Sequence, residues 1–240
     1  MIKKSWIFPE VGCGPLFYLE RVSVREEDIF RKWDRWLEVI YKDIQGVLIN
    51  RHIFWEVQRI IDLNPKIQIN SAFYSWMANV YAIAAVMGVR RQTDKSEDSV
   101  SLVNLINEIM DHPEIISRER YVSSYKSISH QTAHRHFDNI VGPGRQYINP
   151  QTIKDEIETL GEKADKIRKL ANRRIAHRNK SDIKHLPTYA EIDDALDYIE
   201  TLIRRYLLIF RSVTPLRILP VFTYDWMRIF RYPWIEKKAN

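Results

Sequence analysis

One short segment, residues 172–180, gathers Asn172, Arg173, Arg174, His177, Arg178, Asn179 and Lys180. On a helix Arg173 stands four positions and Arg174 three positions before His177, so both guanidinium groups can neighbour the imidazole. Cations so close disfavour the charged ring and keep the histidine neutral. A neutral imidazole beside fixed positive charge suits phosphodiester cleavage. The ring can take the proton of a ribose 2′-hydroxyl, and arginine can stabilise charge gathering on the phosphate. Such chemistry requires no metal and no cofactor. The same cluster would also simply complement the dipole at a helix C-terminus, and spacing alone does not choose between the two.

Three other groups of residues invite a chemical reading. Arg90, Arg91 and Asp94 end an apolar run, either as support for another site or as dipole compensation with a salt bridge. His130, His134 and His136 lie close enough to suggest a zinc pair, but no cysteine or carboxylate obviously completes a ligand set. The C-terminal segment interleaves arginine with Tyr206, Phe210, Phe222, Tyr224, Trp226, Phe230, Tyr232 and Trp234. Arginine alternating with aromatic faces is one way to hold single-stranded nucleic acid, with Arg204, Arg205, Arg211, Arg217 and Arg228 as the RNA-binding candidates. The alternative is that these rings pack the tail onto the rest of the protein.

Those side chains need elements to position them, and the composition favours helices. Glycine occurs 7 times in 240 residues, and 45% of residues are hydrophobic against 28% charged, the balance of a folded globular chain. Residues 201–240 hold eight basic side chains against Asp225 and Glu236, so the formal net charge of +6 sits in this segment. Cys13 is the only cysteine, which excludes an intrachain disulfide and a cysteine-based zinc cluster. The longest apolar run, residues 80–89, falls short of the roughly 20 residues a membrane span needs. These features predict a cytoplasmic protein that is neither exported nor inserted in a membrane.

Periodicity predicts an all-α, up-and-down helical bundle. Residues 1–22 read as irregular, 23–212 as the bundle, and 213–240 as a basic, aromatic-rich extension. Ser23-x-x-Glu26 is a capping box that would start the first helix, with a kink expected near Gly46. Ser71 would cap a helix over residues 72–93 whose middle, residues 80–89, is apolar on all sides and is therefore expected at the centre of the bundle. Residues 100–110 form a short amphipathic helix, and one or two more fall between 114 and 146. A long helix starts at Asn149-Pro150 and runs to about residue 178. Pro187 and Thr188-x-x-Glu191 start the last one, which ends near Ser212.

Four segments in this order resemble the AbiU-type phage abortive-infection proteins of the HEPN superfamily. They are residues 50–55 (Asn-Arg-His-Ile-Phe-Trp), residues 90–94, residues 99–102 (Ser-Val-Ser-Leu) and residues 175–178 (Ile-Ala-His-Arg). The resemblance covers roughly residues 25 to 210. It implies a dimerising helical bundle and, in many members, a metal-independent endoribonuclease of phage-defence or toxin–antitoxin systems. The superfamily's signature is an arginine, usually followed by a polar residue, four to six positions before a histidine. Arg173, Arg174 and His177 would fill it, with Asn172, Arg178, Arg90, Arg91 and Asp94 in support. The implied partners are a second copy, RNA, and an antitoxin or regulatory protein. The implied alternative is a silent module that only binds RNA or protein.

Overall fold

The computed structural model describes residues 15–125, 129–175, 185–213 and 215–234, with backbone alone for 15–23 and 174. Seven α-helices carry the described chain: α1 Pro15–Leu63, α2 Ala72–Gln92, α3 Leu102–Asp111, α4 Arg118–Ser124, α5 His130–Val141, α6 Pro150–Leu170 and α7 Tyr189–Arg211. Among the described residues the only β pairing is an isolated bridge between Ser117 and Tyr147. The all-α expectation holds. Single-turn 3-10 segments and a π-helical turn, Ala171–Ile175, fill some of the connections.

Local sequence explains most helix ends. The Thr188/Glu191 capping box forms as expected: the Thr188 amide donates to Glu191 Oε2 at 2.8 Å, and the Glu191 amide to Thr188 Oγ1 at 3.2 Å. Ser71 accepts from the Phe73 amide at 3.2 Å, and Asn149 from the Gln151 amide at 3.1 Å. Two expectations at the first helix give way. α1 already begins at Pro15, so the Ser23 box lies inside a helix and residues 15–22 are not irregular. The helix also runs through Gly46 without interruption. A cap motif is a local preference, and turns on either side of it can simply continue the helix.

The chain divides into two compact units. Unit 1 comprises Met1–Ile40, Gln92–Glu162 and Arg205–Thr214; unit 2 comprises Tyr41–Arg91, Lys163–Arg204 and Pro215–Asn240. The expected boundaries at 22/23 and 212/213 do not coincide with this division. The described residues 215–234 group with unit 2.

Unit 1 buries Trp33, Leu37, Leu105, Ile106, Ile109, Phe137, Tyr206 and Phe210 together. The Trp33 indole donates to Glu108 Oε2 at 2.7 Å, so its one polar atom is satisfied inside the core. Arg118 is buried and fully used: it donates to Asp138 at 2.5 Å, twice to the Arg145 carbonyl, and to the His134 carbonyl. The Arg118 guanidinium holds the Asp138 carboxyl below its ordinary value. Gly144, at φ +71°, brings its amide onto the same carboxylate at 3.0 Å, a backbone conformation that favours glycine.

Unit 2 packs Val47, Phe54 and Val57 of α1 with Tyr81, Val86 and Val89 of α2 and with Ile192, Leu196 and Ile203 of α7. Gly88 lets α1 and α2 approach closely, since a Cβ there would sit 2.5 Å from Val47 Cγ2. α2 is not the enclosed central helix that its all-round apolar middle suggested. Phe73, Trp76, Val80 and Ile83 are exposed, Trp76 by 59%. This helix is also long and apolar enough to span a membrane by length and composition, although its opposite face is buried in unit 2. Apolar composition cannot say which face a helix will cover.

Candidate functional site

α6 leads into the candidate segment. The helix ends at Leu170 and widens into the π-helical turn Ala171–Ile175, a local irregularity often found at functional sites. Buried Ala171 fixes the turn to the unit 2 core. Asn172 is exposed, and its side-chain oxygen accepts from Arg90 Nε at 2.7 Å. Arg173 is exposed and has no hydrogen-bond or ion-pair partner among the described residues. For Arg174 only the backbone is described, and His177 and Arg178 lie outside the described residues.

The three expected supporting residues make different contacts among the described residues. Arg90, at the end of α2, does reach the segment through Asn172. Arg91 instead grips Asp43 of α1 with two bonds of 3.0 and 2.7 Å, which closes α2 onto α1. Asp94 belongs to unit 1, where its carboxylate accepts from the amide and hydroxyl of Ser96 and its carbonyl from Ser101. Arg90 is thus placed to orient the segment.

The arginines read as RNA-binding also divide. Arg205 pairs with Glu156, and the Tyr206 hydroxyl donates to that carboxylate at 2.8 Å. Arg211 pairs with Asp34 at 2.7 Å and Glu38 at 2.8 Å. These two charges are answered by carboxylates inside unit 1. Arg204 and Arg217 line a cavity in unit 2, and Arg228 is exposed without an ion-pair partner among the described residues. His134 offers its carbonyl to Arg118, and His136 lies edge-on to Tyr125 at 6.1 Å. Among the described residues no group of three His, Cys, Asp or Glu side chains is placed to hold a metal ion.

A family model described as AbiU2, of HEPN type, matches residues 30–229. The chain belongs to the AbiU2 family of HEPN domains. It is thereby a HEPN domain of the kind found in abortive-infection systems. No curated protein and no solved structure matches it. The AbiU2 match covers the turn at Ala171–Ile175, His177 and the run 50–55 alike.

That run supplies the residues that spacing arguments missed. The Trp55 indole donates to Asp193 Oδ2 and the Tyr81 hydroxyl to Asp193 Oδ1, both at 3.0 Å. Burial, with the Asp193 carboxylate beside it, pushes the Tyr81 phenol well above its ordinary value. Arg51 donates to Asp197 Oδ1 at 2.6 Å. The signal was present as Arg51-His52-x-x-Trp55, since positions 51 and 55 share a helix face. What could not be read was which part of α7 would meet that face.

Proposed function

We propose that this AbiU2-family chain is a metal-independent endoribonuclease of a phage-defence or toxin–antitoxin system, working as a homodimer. His177 acts as general base on a ribose 2′-hydroxyl, and Arg173 or Arg174 neutralises charge on the phosphate. The oxygen freed by His177 attacks the adjacent phosphorus. The P–O bond to the next nucleotide breaks, and the products are a 2′,3′-cyclic phosphate and a 5′-hydroxyl. The observation that carries the reading is Arg173, exposed and without an ion-pair partner among the described residues, four positions before His177 within the family match. The Arg90–Asn172 bond supports it by tying the end of α2 to the turn that leads to the histidine.

The second reading is a silent module that binds RNA or a partner protein. Asn172, not an arginine, stands five positions before His177, and its amide oxygen is occupied by Arg90. Purified chain incubated with total RNA decides between them. Under the nuclease reading, cleavage persists in excess chelator and yields cyclic phosphate ends. His177→Ala then lowers the rate by roughly a hundredfold or more, the scale of losing a general acid–base group. Cleavage undiminished in His177→Ala, or none by the wild type, leaves the binding module.

A further inference from the structure

Unit 2 holds a second concentration of cationic and aromatic side chains that the nuclease reading leaves unused. A cavity of about 510 Å³ is lined by Arg51, His52 and Trp55 of α1, Glu200 and Arg204 of α7, and Arg217. That volume falls within the roughly 300–1,000 Å³ usual for small-ligand sites. Its far wall is the segment after α7, held down at three points. Ile218 is fully buried, its amide donates to Glu200 Oε1 at 2.9 Å, and its carbonyl accepts from Gln45 Nε2 at 3.2 Å.

The charges in this cavity are not equivalent. Arg51 is committed to carboxylates, Asp197 at 2.6 Å and Glu200 at 4.0 Å. Arg204 is anchored by one nitrogen only, Nε to the Pro215 carbonyl at 3.1 Å. Its two terminal nitrogens have no partner among the described residues, and neither do Arg217 and the ring nitrogens of His52. The His52 ring is nonetheless fixed in place, stacked on Phe222 at 5.3 Å with Trp226 edge-on at 5.9 Å. Two guanidinium groups without a carboxylate, facing one concavity, call for an anion, and their planar forks match phosphate oxygens. Beside them stands Trp55, 40% exposed. Its indole is held by the bond to Asp193 and by edge contacts from Phe54 at 5.1 Å and Tyr189 at 5.8 Å. A fixed, part-exposed indole is a stacking platform for a flat ring.

We infer that this cavity binds a terminal phosphate carried next to a planar ring. Arg204 and Arg217, with His52, take the phosphate, and Trp55 takes the ring. A phosphomonoester carries about −1.5 to −2 charges at pH 7 and three acceptor oxygens, which suits two uncompensated arginines better than the single charge of a diester. A free nucleotide and the 5′-phosphate end of an RNA both offer this chemistry. The inference does not depend on cleavage, because binding alone reads it.

Isothermal titration of the full chain tests it with adenosine monophosphate, adenosine, and a short 2′-O-methyl oligoribonucleotide with or without a 5′-phosphate. The 2′-O-methyl group blocks the attacking hydroxyl, so a chain that cleaves and one that does not are equally informative. Adenosine monophosphate should bind at least about tenfold more tightly than adenosine. Arg217→Ala should weaken it by roughly tenfold to a hundredfold, the range for one charge-assisted hydrogen bond. Trp55→Ala should weaken both ligands, and Lys95→Ala, an exposed charge in unit 1, neither. Preference for the phosphorylated oligonucleotide over its hydroxyl-ended twin assigns an RNA end; binding of the mononucleotide without that preference assigns a free nucleotide. Equal affinity for adenosine and its monophosphate, an unchanged Arg217→Ala whose melting temperature matches wild type, or no binding of either phosphorylated probe overturns the inference.

Discussion

Each unit pairs some arginines with carboxylates and leaves others open, Arg25, Arg35, Arg135 and Arg145 in unit 1 among them, but in unit 2 two open ones, Arg204 and Arg217, line one cavity. In unit 1, Arg118 meets Asp138, Arg120 meets Glu27, Arg205 meets Glu156 and Arg211 meets Asp34 and Glu38. In unit 2, Arg173, Arg217 and Arg228 meet no carboxylate among the described residues, and Arg204 meets only a carbonyl. Two tryptophans differ as well. Trp33 of unit 1 is fully buried, whereas Trp76 of unit 2 is mostly exposed. A folded protein neutralises the charges it needs for its own stability; charges and rings left unanswered are those available to a ligand. What sets unit 2 apart is that Arg204 and Arg217 share one concavity with the part-exposed Trp55 indole.

The largest effect should come from opening a closed pair. Glu156 is buried, and desolvation raises its carboxyl above the ordinary 4.5 despite the Arg205 charge and the Tyr206 hydroxyl that oppose the rise. Arg205→Met removes the opposing charge from a buried carboxylate, at a cost of about 3–5 kcal/mol. A raised folded value means the native state holds the proton more tightly than the unfolded chain does. The penalty should thus be full above that raised value and shrink as pH falls toward 4.5. Denaturant melts of the variant at several pH values would show it. A penalty that grew on acidification would contradict the burial of Glu156.

The open apolar surface is the next place to press. Phe73, Trp76, Val80 and Ile83 follow one another along α2 at helical spacing and are all exposed, and a second copy is the occupant that the proposed dimer requires. Trp76→Glu places a charge in that face and should weaken self-association roughly thirtyfold or more, a hot-spot cost. The fold should survive, because the side chain is mostly in solvent already. Light scattering across a concentration series reads the outcome. A wild type that stays monomeric at micromolar concentration removes both the dimer and any shared cleft.

Much of the closed part was legible in sequence and much of the open part was not. The capping box at Thr188, the cap at Ser71 and the start at Asn149-Pro150 are short-range signals, so residue order revealed them. The Ser23 box misled because α1 had already begun at Pro15. For residues 80–89 of α2 the sequence has apolar residues on every side, and only tertiary packing decides that Tyr81, Val86 and Val89 go inside while Val80 and Ile83 do not. The candidate site divides in the same way. The arginine–histidine spacing is local and could be read directly. The cavity needs Arg51 from α1, Arg204 from α7 and Arg217 from beyond it, positions that no window of sequence brings together. The basic tail was read as one electrostatic patch, but Arg211 is locked to Asp34, a partner 177 positions away.

That last distinction yields the smallest and most discriminating prediction. If all basic residues after position 200 bound RNA equally, removing any one of them would flatten the salt dependence of binding by the same amount. Phosphate contacts release counterions, and on single-stranded RNA each contact adds about 0.7 to the slope of log affinity against log salt. Arg211 is paired to two carboxylates, so its charge attracts little at a distance, and Arg211→Ala should leave the slope unchanged. It should cost less than about 1 kcal/mol of stability, as exposed pairs do. Arg217→Ala and Arg228→Ala should each lower the slope by about 0.7, with melting temperatures close to wild type. Arg173→Ala should do the same if it contacts a phosphate in the bound state, and it would also slow cleavage. A 2′-O-methyl RNA, titrated at several salt concentrations, separates binding from chemistry in all four variants. Equal slopes for Arg211→Ala and Arg217→Ala would erase the distinction between closed and open arginines. A lower slope for Arg217→Ala and Arg228→Ala alone would place the RNA on unit 2.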